Sequence, residues 1–158
     1  MNKYSSNPLA AHERRSPCRW GFRLTPNSTI IFLTVCTRAR RPILATEPVH
    51  QELRRLWSDA THWRVGKYVI MPDHSHLLVT VGSACTVPLP RWVGWWKRQL
   101  ALALGIKVWQ KDFWDHMVRG QEAFFQAQEY MLLNPSRKGL IERSAEWPFQ
   151  GEVHKLSW

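Results

Sequence analysis

The spacing of apolar side chains changes character several times along this chain. Residues 29–37 read TIIFLTVCT, a β-branched run that is apolar on both sides, which predicts a buried strand. A basic turn, Arg38-Ala39-Arg40-Arg41-Pro42, follows it. Thr46 then stands where a helix N-cap would stand, with Pro48 in the first turn. Val49, Leu53, Leu56, Ala60 and Trp63 recur at helical spacing, so 46–62 is expected to be an amphipathic helix. Two strands are predicted at 64–71 and 74–81, broken by Pro72-Asp73. Helical spacing returns over 89–104 through Leu89, Val93, Trp96, Leu100 and Ala103, and Gly105 ends it. A short strand is expected within 108–113, and a helix over 120–134 that Pro135 stops. The tail from 136 on carries turn signals without a period. The first six elements run strand, helix, strand, strand, helix, strand, the order of an α+β, ferredoxin-like βαββαβ sheet. The additional C-terminal helix is expected to close over one face or edge of it.

Composition narrows the function. At 158 residues and 18.6 kDa the chain makes one domain, read as a basic N-terminal arm over 1–28 and a folded domain over 29–158. There are 22 Lys and Arg against 12 Asp and Glu, a net charge of +10. Such a surface favours a polyanion, above all nucleic acid. No apolar run is long enough to span a bilayer, and the N-terminus lacks the apolar core of a signal peptide, so a cytoplasmic, nucleoid-associated protein is expected. Cys18, Cys36 and Cys85 are odd in number and form no CxxC pair, which argues against a disulfide framework or a cysteine-rich zinc site.

Two histidines and one tyrosine carry the candidate chemistry. His74 and His76 lie two apart in a predicted strand, so both imidazoles point to one face, with Leu77 and Val79 on the other. Two imidazoles side by side suit one divalent cation; solvated surface histidines are the alternative. In the last predicted helix, Phe124, Phe125, Met131 and Leu132 define a buried stripe. Tyr130 falls roughly opposite that stripe, and Asn134, one turn on, shares its face. A nucleophilic phenol with an oxygen ligand one turn away is one reading. A surface Tyr and an Asn at a helix C-terminus is the other.

YVIMPDHSHLLVT (68–80) resembles the strand pair that carries the HUH motif of single-tyrosine transposases. VWQKDFWDHMVRGQE (108–122), YMLLNPSRKGLIE (130–142) and WPFQG (147–151) are similar to the later blocks of one subgroup, the REP-associated tyrosine transposases. The similarity spans most of 14–151. The resemblance implies a ferredoxin-like sheet with the paired histidines on a central strand. It implies metal ligation by His74, His76 and Asn134, Tyr130 as nucleophile, and single-stranded DNA, often beside a hairpin, as substrate. Mg²⁺ is the cation expected, with Mn²⁺ able to replace it. The implied reaction gives a 5′-phosphotyrosine and a free 3′-OH, which a second strand can later reverse. Three positions depart from the family pattern. Ser75 replaces the hydrophobic middle residue, Asp73 stands where Asn is usual before the first His, and Ser136 replaces a branched residue after Asn-Pro. Ser75 is expected to cost packing rather than chemistry; Asp73 could assist the metal or repel the phosphate.

Further residues suit DNA contact. Arg91, Trp95 and Arg98 share one face of the second helix, a pattern for backbone contact with base stacking, or equally a solvated basic face. Arg137 and Lys138 follow Asn134 and could meet phosphates, while Arg14 and Arg15 could do so from the N-terminal arm. Asp115 beside His116 is a possible acid–base pair, with a structural hydrogen bond the plainer reading. Tyr4 and Tyr68 compete with Tyr130 on residue type alone, and Tyr68 is expected to be packed mid-strand. A catalytically decayed or domesticated hairpin binder, and a metal nuclease that activates water, remain the rival functions. Monomer and homodimer are both open.

Overall fold

The computed structural model describes residues 29–83 and 85–158, and the basic arm at 1–28, with Arg14, Arg15 and Tyr4, lies outside the described residues. Five strands form one antiparallel sheet: β1 (Ile30–Cys36), β2 (Trp63–Ile70), β3 (His74–Val81), β4 (Trp114–Val118) and β5 (Gln150–Glu152), in the order β4-β1-β3-β2-β5. Helices α1 (Glu47–Ser58) and α2 (Leu89–Leu104) follow β1 and β3, and α3 (Gln121–Arg137) follows β4. The first four strands and two helices have the expected ferredoxin-like order. Among the described residues no helix is long and apolar enough to cross a membrane.

Period-2 alternation on β1 and β3 divides the core in two. Ile31, Leu33, Val35, Leu77 and Val79 face α1 and α2, where Leu53, Trp57, Trp96 and Leu100 complete the larger cluster. Ile30, Phe32 and Leu78 face the other way, where Phe124, Ala127 and Met131 of α3 meet them with Val118 and Leu156. Each large apolar side chain removed from water in these layers contributes roughly 1.5–3 kcal/mol. The β2–β3 register shifts between Val65 and Tyr68. This irregularity lets both residues, three apart, share the larger cluster. Tyr68 is fully buried there, and its hydroxyl is 2.8 Å from His50 Nε2, so it is a packed residue as the sequence suggests.

Several boundaries depart from the sequence reading. The strand expected within 108–113 is irregular chain, of which Trp109 makes one isolated bridge to Thr37. The paired strand lies just beyond it, at Trp114–Val118. Val108 is buried, and Trp109 and Phe113 pack partly buried against the larger cluster, so their apolar character reflects insertion into the core without a ladder. α1 ends at Ser58 rather than 62, and Trp63 opens β2 instead. Pro135 does not stop α3, which runs on to Arg137. Proline costs a helix one hydrogen bond, here to the Met131 carbonyl four residues back. The tail contributes the unforeseen β5, which pairs with β2. The Trp147 indole donates to the Ile70 carbonyl (2.9 Å), so the WPFQG segment fastens the tail to the sheet.

Two substitutions test this packing. Ser75 is fully buried on the larger cluster's face, and its hydroxyl has no hydrogen-bond partner among the described residues. Ser75→Ala should therefore leave the fold intact and raise its stability by about 1 kcal/mol in urea denaturation. Gly82 has no room for a Cβ, which would fall 2.1 Å from the Thr61 carbonyl oxygen. Gly82→Ala should cost about 2–4 kcal/mol, whereas Gly94→Ala, with open space on α2, should be neutral or stabilising by up to about 1 kcal/mol.

Candidate active site

β3 is a central strand, and its pairing with β1 sets the histidines. The register places Thr34 opposite His76 and Cys36 opposite His74. Both imidazoles project from the α3 side of the sheet and are 5% exposed as residues, with ring centroids 4.8 Å apart. Neither ring hangs loose. Thr34 Oγ1 lies 2.8 Å from His76 Nδ1. Asp73 Oδ1 accepts from His74 Nδ1 at 2.6 Å, and a carboxylate only accepts, so His74 carries its proton on Nδ1 and leaves Nε2 with a lone pair. The Thr34 hydroxyl can take either role, and the Nδ1–H tautomer of His76 would free its Nε2 in the same way. Phe32 lies between His76 and His116, with both ring centroids 5.1 Å away.

α3 brings Tyr130 to this pair. Its ring centroid is 5.8 Å from that of His76 and 6.1 Å from that of Phe32. Asn134, one turn later, is 5% exposed. The helix is rotated from its expected orientation. Phe124 and Met131 are buried as expected, but with Ala127 and Asn134 rather than with Phe125 and Leu132. Phe125 is 55% exposed. Adjacent apolar pairs such as Phe124-Phe125 and Met131-Leu132 span 100° of helix, so either member can be the buried one. The rotation turns Tyr130 and Asn134 towards the sheet instead of away from it, which is what a shared site with the histidines needs. Hydrogen bonds hold the end of α3. Ser136 Oγ donates to the Leu133 carbonyl (3.1 Å) and accepts from Ser144 Oγ (2.6 Å). Gly139, at φ 67°, then turns the chain.

The remaining candidates divide. The Arg137 guanidinium carbon lies 5.5 Å from the Tyr130 ring centre, and the charge of Lys138 reaches His74. Arg91, Trp95 and Arg98 are exposed on α2, which packs against the opposite face of the sheet from the histidines. Asp115 and His116 do not form a pair. Their cross-strand partners are Leu33 and Phe32, which face opposite layers, so the two side chains point apart. Burial pushes the Asp115 carboxyl up to about 6. Thr34, Phe32 and Arg40 belong to the surroundings of the site and were not singled out from the sequence; His116, singled out only as a partner for Asp115, joins them through Phe32. Only the β1–β3 and β1–β4 registers and the turn after β1 reveal them. Arg40 Nε is 2.8 Å from Asp73 Oδ2.

The donors fit a cation. Burial holds His76 well below the usual imidazole pKa, helped by the neighbouring charges of His74, Arg40 and His116. Burial also lowers His74, although Asp73 opposes it. Two neutral imidazoles each have their Nδ1 engaged by a second group, the arrangement that orients metal-ligating histidines. Asn134, buried one turn after Tyr130, offers a neutral carboxamide oxygen. No three His, Cys, Asp or Glu side chains cluster for a metal among the described residues, so the two imidazoles would need other oxygen donors to hold an ion. The low His76 pKa has a sign. The folded chain binds fewer protons than the unfolded one just below about pH 6.5, so the stability from neutral His76 is complete above that pH and is lost on acidification. An NMR titration in EDTA should place the His76 midpoint well below 6.5; a midpoint at or above 6.5 would contradict its burial.

Comparison with known proteins places the chain in a family. No protein-family model matches the chain. It is 30% identical over 122 residues to the REP-associated tyrosine transposase of Escherichia coli strain K12, covering 75% of this chain and 73% of the relative. A Haemophilus influenzae protein provisionally named for the same family is 24% identical over 110 residues, 56% of this chain and 62% of its own. Among solved structures, a REP-associated tyrosine transposase bound to a REP hairpin has the same fold, with a TM-score of 0.68 at 23% identity over 93% of this chain and 95% of that one. On sequence and fold together, the chain belongs to the REP-associated tyrosine transposases, a family of DNA-processing proteins.

Proposed function

We propose that this protein cleaves and rejoins single-stranded DNA at sites flanked by hairpins, using Tyr130 as nucleophile and a divalent cation held by His74, His76 and Asn134. The observation that carries the reading is the meeting of Tyr130 with the paired histidines, rings 5.8 Å apart, on the α3 face of the sheet. The hairpin part rests on kinship with the relative whose structure contains one.

The chain's own groups account for each step. The net charge of +10 draws the polyanion in. Arg137, whose guanidinium carbon is 5.5 Å from the Tyr130 ring centre, and Lys138 next to it in sequence suit contact with the scissile phosphate. The Tyr130 phenol oxygen attacks phosphorus and forms a P–O bond, while the bond to the 3′ oxygen breaks. The phenolic proton passes to solvent, and the leaving oxygen takes one up. The products are a 5′-phosphotyrosine and a free 3′-OH, and attack by another 3′-OH reverses the step to join strands. A divalent cation at the two imidazoles and the amide would supply charge stabilisation at a non-bridging phosphate oxygen. These donors are neutral, so the cation keeps its full charge for the phosphate. Mg²⁺ is the ion proposed in the cell, and Mn²⁺, which accepts imidazole more readily, should replace it in vitro.

A denaturing gel tests the proposal. Wild type incubated with end-labelled single-stranded DNA, carrying hairpins from the flanks of its gene, should give a slow protein–DNA band with Mg²⁺ or Mn²⁺. EDTA and Tyr130→Phe should abolish it, and Asn134→Ala should slow it at least about a hundredfold. Cleavage that survives Tyr130→Phe would replace the phosphotyrosine mechanism with activated water. Binding without any adduct across the gene's own hairpins would make the protein a DNA binder. In either case affinity should fall steeply with salt, with a log–log slope of about −0.7 per neutralised phosphate.

A further inference from the structure

We propose that Arg40 is a positioning residue for the metal site: it clamps Asp73, and Asp73 fixes His74 in the tautomer that leaves Nε2 bare. The metal part rests on the function proposed above; the tautomer part does not.

The clamp is built by the turn after β1. Thr37 N–H donates to the Asp73 carbonyl (2.9 Å). Its hydroxyl lies 3.0 Å from that carbonyl and 2.8 Å from the Arg41 carbonyl. The short 3-10 turn Arg38–Arg40 follows, and both Ala39 and Arg40 take φ 53°, a left-handed backbone that non-glycine residues rarely adopt. This turn carries Arg40 back over the end of β1. Its Nη1 lies 2.7 Å from Cys36 Sγ, and its Nε 2.8 Å from Asp73 Oδ2. The other carboxylate oxygen, Oδ1, accepts from His74 Nδ1 at 2.6 Å. One Asp73 oxygen thus meets Arg40 and the other His74, and the Arg40 charge offsets the carboxylate. Asp73 accordingly acts on the imidazole, rather than as a metal ligand or as a bare charge facing the phosphate. The chain of contacts explains two non-glycine residues in left-handed backbone, which a merely solvent-facing turn would not require.

A rival role for Arg40, half exposed as it is, is electrostatic only. The two roles predict opposite signs. Removing a nearby cation without disturbing His74 should tighten cation binding. Removing a clamp should weaken it, because outer partners of metal-bound histidines typically matter 10–100-fold.

The test uses the full chain and two readouts. The first is the ¹⁵N chemical shifts of the His74 ring in metal-free protein. The second is Mn²⁺ affinity by EPR titration. Wild type should show His74 protonated on Nδ1. Asp73→Ala should shift the ring towards the Nε2–H form and weaken Mn²⁺ about 10–100-fold. Arg40→Ala should give mixed tautomers and several-fold weaker Mn²⁺ binding, and Arg40→Asn, which suits the left-handed backbone, should do the same. The double variant Arg40→Ala/Asp73→Ala should bind no more weakly than Asp73→Ala alone, as expected if Arg40 acts through Asp73. Arg41→Ala removes an equal charge from the same turn and should change neither the tautomer nor, beyond a slight tightening, the affinity. An unchanged His74 tautomer in both Arg40 variants, or Mn²⁺ binding that tightens in them, would overturn the proposal. If wild type binds no Mn²⁺, the metal reading of the site fails, and the tautomer of the Arg40 variants alone decides the clamp.

Discussion

The antiparallel register between β1 and β3 is the constraint on which the rest of the site depends. It sets Thr34 against His76 and Cys36 against His74. From that pairing follow the Thr34 contact to His76 and the place where the β1 turn must return to reach Asp73. A slip of one residue would exchange the faces of β3. The imidazoles would then point into the cluster under α1 and α2, and Leu77 and Val79 would meet α3. The apolar residues around the histidines oppose that slip. Ile31, Leu33 and Val35 of β1 and Leu77 and Val79 of β3 are nearly or wholly removed from water on the larger cluster's side.

The two layers of the molecule play different parts. The α1–α2 side is apolar and rich in indole, and it supplies most of the burial. The α3 side is apolar at Phe124, Ala127 and Met131, and polar where Tyr130 meets His76 and where Asn134 is buried one turn on. α3 is therefore both a core element and the carrier of two site residues. Small changes in its rotation matter to both roles, which gives the fastening of its C-terminal end a purpose. Ser136 and Ser144 tie that end to the following turn, and Trp147 ties the turn's exit to the β2 backbone. The WPFQG segment thus bears on the site through the end of α3.

Much of this was legible in the sequence, because β3 and α2 have strong periods and clear punctuation. β3 occupies His74–Val81 and α2 Leu89–Leu104, the bounds that the pattern predicts. The pairing of Tyr130 with Asn134 follows from helical spacing alone. What the spacing could not fix was the rotation of α3, since the doublets Phe124-Phe125 and Met131-Leu132 fit two orientations. β4 was misplaced because Val108, Trp109 and Phe113 are apolar for core insertion rather than for a ladder. β5 is three residues long, too short to show a period. The role of Asp73 was open in the sequence because its partner, Arg40, arrives through a left-handed turn that no residue type announces. The α2 face of Arg91, Trp95 and Arg98 is separate from the histidine site. α2 turns that face to solvent on the far side of the sheet.

In the function proposed above, His74 and His76 present two imidazole nitrogens to one cation. Electron spin-echo envelope modulation of Mn²⁺ bound to the full chain reads those nitrogens directly. Two histidine nitrogens in wild type, reduced to one in His74→Ala and one in His76→Ala, is the predicted result. Bound Mn²⁺ with no nitrogen modulation, or with modulation unchanged in both variants, would contradict it.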